Sequence, residues 1–292
     1  MNCDFCSVSA FNGRRYRQRP IADVVREFGM IRERRVLVVD DNLIGTSADH
    51  LERAKELLRA MIAAGIDKEW IAQATINIAD DEELLELAAK AGCKGVFVGF
   101  ESPTPEGLKE LGKKFNLLKG RDFRESVRRI QRHKILVVGS FIIGLDIDKP
   151  GAGRQTAEAA RRYGVDNLNT LFLTPLPGTR LWERMKAEGR VVLNNFPEDW
   201  KYYTLTFPAA RYRGLSLDEA LGEMSACDYD FYSVRHIARR VWGSLWRWRH
   251  PFISFVGNIS YRANLRTTQR AYEDFKREQG GRYARSASRE NS

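Results

Sequence analysis

The feature that most constrains the fold is a regular alternation of short apolar runs with longer helical patterns. The predicted strands cover residues 35–42, 71–78, 95–102, 135–144 and 167–174. They are separated by helical patterns over 47–64, 80–91, a segment that opens at Thr104-Pro105, and 155–163. Strands that alternate with helices indicate a parallel sheet with right-handed crossovers. In barrel versions of such sheets, the functional side chains collect on loops at the carboxyl ends of the strands.

Polar residues follow several of these runs. Asp40, Asp41 and Asn42 end the first predicted strand, and Glu101 and Ser102 end the third. Because the carboxyl ends of parallel strands share one edge, we expect these groups to lie on one face of the sheet. Asp41, Glu101 and Ser102 could instead cap the helices that follow them. A Pro-Leu-Pro-Gly turn after the last strand, residues 175–178, could also simply end that strand.

A pair of cysteines opens the chain as Cys3-Asp-Phe-Cys6. Thiolates are soft ligands that bind iron–sulfur clusters and zinc, but one Cys-x2-Cys pair also fits a redox pair or two unrelated thiols. Cys93 precedes a predicted strand and should lie at the opposite end of the sheet, whereas Cys227 lies in the C-terminal region. We expect both to be buried structural thiols. The sequence carries no secretory signal, which favours reduced cysteines.

The 292 residues can bury one barrel-like core with a smaller appended region. We expect an incomplete barrel over 1–190, a mainly helical basic and aromatic region over 191–280, and a disordered tail over 281–292. The chain contains no run of about 18 apolar residues that would span a bilayer. Its formal net charge is +10.

Much of the positive charge lies in residues 231–270, which contain eight arginines and no Asp or Glu. Trp242, Trp246, Trp248, Phe252 and Phe255 are interleaved with the arginines. Such a segment could lie on an anionic membrane or contact nucleic acid phosphates. It could also be an ordinary helical pair whose aromatic residues pack on the barrel and whose arginines face water. Peripheral membrane contact would suit a lipid substrate.

Short motifs occur in a fixed order from residue 2 to about residue 190. They are Asn2-Cys-Asp-Phe-Cys-Ser7, Gly13-Arg-Arg-Tyr-Arg-Gln-Arg-Pro20, Val39-Asp-Asp-Asn42, Gly99-Phe-Glu-Ser102, Phe141-Ile-Ile-Gly144 and Thr174-Pro-Leu-Pro-Gly-Thr179. Together they resemble the cobalamin-type radical S-adenosylmethionine (SAM) proteins, in particular the bacterial group with an added helical C-terminal region. That group includes hopanoid and tetrapyrrole-related enzymes.

The resemblance implies a fold, cofactors and residue roles. The fold is α/β, a partial (β/α)6 TIM-like barrel that here lacks its first strand, followed by a mainly helical region. Cys3 and Cys6 would ligate a [4Fe-4S] cluster, which binds and reductively cleaves SAM. The residues that would line the SAM site are Phe5, Asp40, Asp41, Asn42, Glu101, Ser102, Ser140, Pro175 and Leu176.

The sequence departs from the family pattern in two places. The cluster motif is Cys-x3-Cys-x2-Cys, and its first cysteine would lie two residues before Met1. Relatives commonly bind cobalamin in an upstream domain through Asp-x-His-x-x-Gly, and no histidine of this chain stands in that motif. We interpret Met1 as an internal methionine of a longer enzyme.

We therefore expect a radical SAM enzyme core that functionalises, for example methylates, an unactivated carbon of a small-molecule or lipid-like substrate. An external donor such as flavodoxin or ferredoxin would supply electrons. The protein would be cytoplasmic, with peripheral inner-membrane contact through 231–270. Two alternatives stay open: a truncated, inactive remnant with an unpaired sheet edge, or a basic membrane- or nucleic-acid-binding module without catalysis.

Overall fold

A computed structural model describes residues 3–13, 16–113, 120–246 and 251–288. Within this part of the chain, five parallel strands form one sheet in the order β1-β2-β3-β4-β5. The strands are β1 (Arg35–Val38), β2 (Glu69–Ala74), β3 (Cys93–Glu101), β4 (Leu136–Ile143) and β5 (Asn167–Phe172). Helices connect them, so the predicted α/β partial barrel is confirmed.

The helices preceding the last strand are α1 (Ser7–Phe11), α2 (Ile21–Met30), α3 (Ala48–Ala63), α4 (Glu82–Lys90), α5 (Pro105–Glu110), α6 (Phe123–Arg132) and α7 (Ala152–Tyr163). After β5 come α8 (Arg180–Ala187), α9 (Leu217–Phe231), α10 (Val234–Trp246) and α11 (Pro251–Ser288). Short 3-10 helices cover Ile76–Asp80 and Glu198–Tyr202.

The five predicted strands are all present, with two shifts in their bounds. The first ends at Val38 rather than at residue 42, because the chain turns into an exposed loop at Asp40 and Asp41. The second ends at Ala74, and the following apolar residues Ile76 and Ile78 are buried in a 3-10 helix instead. An apolar run alone does not distinguish a strand from a short buried helix.

The sheet is most buried at its centre and most open at β1. Val98 and Phe100 of β3 and Phe141 of β4 are fully buried. By contrast, Leu37 of β1 is 62% exposed, and Val39 just after it is 76% exposed. The sheet is therefore a half-barrel with one well-packed side and one open side.

The C-terminal region is helical, as predicted, but the predicted disorder from residue 281 is wrong for the described residues, since α11 continues to Ser288. Residues 289–292 lie outside the described part. Tyr283 is buried, and its hydroxyl donates to the carbonyl of Pro208. The Arg282 guanidinium forms an ion pair of 2.6 Å with Asp199. These tertiary contacts hold a segment whose composition alone indicates disorder.

Candidate active site

Cys3 and Cys6 lie in a tight turn at the carboxyl edge of the sheet. The Cys6 amide is 3.4 Å from the Cys3 carbonyl, and Cys6 is the N-cap of α1. Both thiols are free and half-buried. The turn is held on the start of α8, where the Leu181 amide donates to the Asp4 carbonyl at 3.0 Å and Arg180 pairs with the Asp4 carboxylate at 2.6 Å. Since α8 follows β5, these contacts place the cysteines beside the end of that strand.

Glu101 and Lys113 form a buried ion pair at the end of β3. The Lys113 ammonium donates to the Glu101 carboxylate and, at 3.2 Å, to the Gly99 carbonyl. The side chains are only 10% and 11% exposed. Glu101 has a φ of +67°, at an irregularity in the pairing of β3 with β4. A left-handed conformation is unfavourable for a glutamate, so the surrounding contacts hold this carboxylate in place.

This ion pair lies beside the cysteine turn. Burial raises the pKa of the Cys3 thiol, the Lys113 ammonium opposes that shift, and Cys6 and the Glu101 carboxylate add to it. All three groups are therefore close enough to Cys3 to interact with it through their charges. Binding a metal deprotonates a cysteine, so a cluster would reverse the preference for the neutral thiol.

The end of β1 brings other predicted residues near the basic loop. Asp40 and Asp41 are exposed, and no contact in the described structure joins them to the cysteine turn. The Tyr16 hydroxyl donates to the carbonyls of Asn42 and Leu43 at 2.7 and 3.0 Å. This contact folds the basic loop over the strand end, although Arg14 and Arg15 of that loop lie outside the described residues.

Asn42 itself is half-buried. Its amide nitrogen is 3.4 Å from the Thr75 hydroxyl, whereas its carbonyl oxygen Oδ1 is buried without a hydrogen-bond partner in the described structure. An unpartnered buried acceptor is costly unless a ligand or water satisfies it. Asp41 does not cap α3, because Ser47 does so by accepting from the His50 amide.

Ser102 does not cap α5 itself, but it contacts the residue that does. Its hydroxyl accepts from the Thr104 amide at 3.3 Å, and Thr104 in turn caps α5 by accepting from the Gly107 amide at 3.2 Å. Glu101 does not cap a helix, because its carboxylate pairs with Lys113. Ser140 is half-buried within β4, opposite Gly99 of β3 and Asn169 of β5.

The turn after β5 joins the strand to the helix that holds the cysteines. Pro175 is buried, and Leu176 is half-buried. The Leu176 carbonyl accepts from the amide and hydroxyl of Thr179, which is the N-cap of α8. This turn therefore ends the strand and also sets the position of α8. Phe5 packs partly buried against the core within the cysteine turn.

The predicted set thus divides into two groups. Cys3, Cys6 and Glu101 come together, and the 175–178 turn is linked to them through α8. Asp40 and Asp41 lie apart on the exposed side. Sequence reasoning missed Lys113, and its neighbourhood, Gly-Lys-Lys at 112–114, gives no signal that separates it from a surface lysine.

The donor set fits part of a cluster site. Among the described residues, no group of three or more His, Cys, Asp and Glu side chains is placed to hold a metal ion. Two soft thiol donors in one turn match two of the three ligands that a [4Fe-4S] site takes from this motif. Cys93 and Cys227 are buried elsewhere, as predicted, and burial raises the pKa of Cys93 to about 12.

Comparisons with known proteins agree with this geometry. The Radical SAM superfamily model matches residues 1–150. The hopanoid C-2 methylase of Rhodopseudomonas palustris is 33% identical over 194 residues, which are 65% of this chain and 36% of that protein. The bacteriochlorophyllide d C-12(1)-methyltransferase of Chlorobaculum tepidum is 28% identical over 264 residues, 88% of this chain and 55% of that protein.

A solved structure shares the fold. It is the radical S-adenosylmethionine methyltransferase TsrM of Kitasatospora setae, with cobalamin and a [4Fe-4S] cluster bound, at a TM-score of 0.55 and 23% identity over 67% of this chain and 39% of that one. The chain thus spans about a third to a half of the length of these proteins. Since the family model covers half of the chain and includes its cysteine turn, this chain belongs to the radical SAM superfamily.

Proposed function

We propose that this chain supplies the SAM-binding catalytic core of a cobalamin-dependent radical SAM methyltransferase acting on a carbon of a small-molecule substrate. Cys3, Cys6 and a third cysteine would hold a [4Fe-4S] cluster. When bound and reduced, such a cluster supplies the electron that cleaves SAM. A small electron-transfer protein such as flavodoxin or ferredoxin would serve as the donor.

One observation carries the proposal: the cysteine turn is fixed beside the buried Glu101 and Lys113 pair at the carboxyl edge of a parallel half-barrel. SAM carries an ammonium and a carboxylate on the same carbon. A paired glutamate and lysine offer one complementary charge to each of these groups. The Glu101 carboxylate would orient the ammonium, and Lys113 would hold that carboxylate in place.

The remaining predicted residues would complete the pocket. Phe5, in the cysteine turn, would contact the adenine, and the free Asn42 Oδ1 would accept a hydrogen bond from SAM. Ser102, Ser140, Pro175 and Leu176 would line the cavity at the strand ends. Asp40 and Asp41 would take part only after the loop that carries them moves inward.

The relatives support the reaction type. The two curated relatives above are a hopanoid methylase and a bacteriochlorophyllide methyltransferase. Both names describe methyl transfer to a numbered carbon, C-2 or C-12(1), which favours methylation of a carbon here. Cobalamin, which is bound in the TsrM structure, would serve as the methyl carrier in the whole enzyme.

The test is the iron and sulfide content after anaerobic reconstitution of the full reading frame of the gene. We expect about four irons per chain in the wild type. Cys3→Ala and Cys6→Ala should each lose most of the iron, whereas Cys93→Ala, a matched control at the other end of β3, should retain it. Equal iron in Cys3→Ala and Cys93→Ala, or no cluster in the wild type, would overturn the proposal.

A further inference from the structure

Helices α10 and α11 pack against each other as a hairpin and expose apolar side chains near the ends that residues 247–250 connect. Those connecting residues lie outside the described structure. Trp242 is 67% exposed and Phe252 is 69% exposed. We call the following residues the hairpin tip: Trp242, Leu245, Phe252, Phe255, Val256 and Ile259. Their spacing of three to four residues along each helix places them on one outward side of that helix. The alternative in which these aromatic residues pack on the barrel therefore does not hold for Trp242, Phe252 and Phe255.

Exposed arginines lie behind the tip on the same helices. Arg235 and Arg239 lie on α10, and Arg266 and Arg270 lie on α11. Within the described residues none of the four has a hydrogen bond or ion pair, whereas Arg59 pairs with Glu83 at 2.5 Å. At about 1.5 Å of rise per residue, Arg239 and Arg235 stand about 5 and 11 Å from Trp242 along the helix.

The inner side of the hairpin fixes this orientation. The Arg240 guanidinium donates to Asn258 Oδ1 at 2.6 and 3.0 Å, which joins the two helices. Asn258 Nδ2 donates to the Asp166 carbonyl at 3.1 Å, which joins the hairpin to the residue before β5. Asn258 is fully buried. The apolar tip consequently cannot turn inward without breaking a buried hydrogen-bond network.

We propose that the hairpin tip docks on the surface of an anionic lipid bilayer. Interfacial helices bury their apolar side about 5–10 Å into the boundary between headgroups and acyl chains. Arg239 and Arg235 precede Trp242 by three and seven residues, and Arg266 follows Ile259 by seven, so they lie on the same side of each helix, where their long side chains would reach the lipid phosphates. Among the described residues no helix is both long and apolar enough to cross a membrane, so the contact would be confined to one leaflet.

Charge and chemistry favour a bilayer over other occupants. Residues 231–270 contain no acidic group, so a second copy of this surface would meet it with like charge. Nucleic acid uses aromatic rings for stacking, but aliphatic Leu245, Val256 and Ile259 share this surface and give no stacking. A mixed aromatic and aliphatic tip followed by unpaired arginines matches a lipid interface.

The hairpin and the cysteine turn lie at opposite ends of the sheet. Asn258 contacts the amino end of β5, while the cysteine turn lies at the carboxyl end of the same strand. A strand of six residues spans about 20 Å. Docking would therefore hold the active site about 20 Å or more from the lipid contact, at the opposite end of the sheet. The hairpin would localise the enzyme, and it would not be the route by which substrate enters.

The test is co-sedimentation of the full chain with vesicles of phosphatidylcholine alone or with about one third phosphatidylglycerol. We expect binding to the anionic vesicles that weakens with added salt. Trp242→Ala with Phe252→Ala should abolish it, whereas Phe11→Ala with Phe196→Ala, two exposed aromatics outside the hairpin, should not.

Arg235→Gln with Arg239→Gln should weaken binding about 30-fold. Arg124→Gln with Arg128→Gln on α6 is the matched charge control.

A second measurement does not depend on disruptive variants. In a background of Trp246→Phe and Trp248→Phe, Trp242→Phe keeps an apolar ring, so it should retain vesicle binding but lose most of the fluorescence quenching that brominated lipid chains cause in the parent protein. Absence of binding to anionic vesicles at low salt would overturn the proposal. So would equal loss of binding in the control variants, or salt-dependent binding to RNA without binding to vesicles.

Discussion

A cation lies at each end of the sheet, buried at the carboxyl end and half-buried at the amino end, and the two cations are neutralised in different ways. At the carboxyl end, Lys113 faces the Glu101 carboxylate. At the amino end, the Arg240 guanidinium donates to neutral acceptors, the Asn258 side-chain oxygen and, at 2.9 Å, the Phe231 carbonyl, and the Asp166 carboxylate acts on it through its charge. Its guanidinium also lies 3.9 Å from the centre of the Phe231 ring. One cation has a counter-ion, and the other is held by dipoles and a ring face.

This difference determines whether each end of the sheet can exchange a partner for a charged ligand. Burial lowers the pKa of Arg240 to about 10, so it stays protonated at neutral pH, and its partners are all part of the fixed structure. An ion pair can exchange a partner for a charged ligand of the same sign, because the total charge in the site stays balanced. In the function proposed above, the carboxyl end would therefore bind the amino acid moiety of SAM, whereas the amino end holds the helices rigidly against the sheet.

The largest expected effect is the loss of the counter-ion at the carboxyl end. Lys113→Met leaves the Glu101 carboxylate buried and unpaired, which should lower the free energy of unfolding by about 3–5 kcal/mol at pH 7. Urea denaturation followed by circular dichroism measures the change.

The matched controls are Glu101→Gln and the double variant. Glu101→Gln leaves the ammonium unpaired and should also destabilise the protein. The double variant should cost less than the sum of the single changes by about 0.5–3 kcal/mol, because neither charge remains. Additive costs would show that the two side chains are not coupled and would remove the basis of the comparison.

The second effect is smaller and concerns the amino end. Arg240→Met keeps an apolar chain over Phe231 but leaves the Asn258 oxygen without its guanidinium donor. The expected cost is about 2–3 kcal/mol, since only neutral acceptors lose a partner. The same urea titration measures it, with Arg239→Met, one residue away and exposed, as the control. A cost above that of Lys113→Met would contradict the distinction between the two ends.

The sequence predicts the sheet well, because its signal is local. Apolar runs such as residues 95–102 and 135–144 match β3 and β4 within two residues at each end. The cysteine turn and the helix start at Thr104-Pro105 are also local patterns, and both are present. Structure that depends on residues adjacent in the sequence can thus be predicted from the sequence alone.

Features that depend on contacts between residues far apart in the sequence cannot be predicted in this way. Lys113 lies 12 residues from Glu101, after a short helix, and only the fold places it beside that carboxylate. The exposure of Trp242 follows from the network between Arg240 and Asn258, which sequence periodicity does not reveal. Likewise, the helical end of α11 depends on contacts of Arg282 and Tyr283 with loops more than 70 residues away.

A further charge at the carboxyl end is half-buried and forms no ion pair within the described part of the chain, and it gives the smallest expected effect. Asp148, in the loop after β4, accepts from the amides of Gly144 and Leu145 at 2.9 and 3.0 Å through one oxygen. Burial raises the pKa of its carboxyl to about 6, those two hydrogen bonds oppose the shift, and Glu110 and Glu223 add to it.

Because the pKa of Asp148 is higher in the folded state than the ordinary value near 4, ionisation opposes folding. The wild type should therefore be most stable, relative to a neutral variant, below about pH 4 and should lose about 2 kcal/mol as pH rises through about 6, because each unit of pKa shift is worth about 1.4 kcal/mol and the partial exposure of this carboxyl reduces the total. Asp148→Asn keeps an oxygen for both amides and cannot ionise. Urea titrations from pH 4 to 8 should show that the free energy of unfolding of the variant rises relative to that of the wild type across this interval. Exposed Asp41→Asn is the control. If the free energy of unfolding changed with pH in the same way for Asp148→Asn and the wild type, ionisation of Asp148 would carry no cost in the folded state. The carboxyl end would then tolerate an anion without a counter-ion, unlike the arrangement at Glu101.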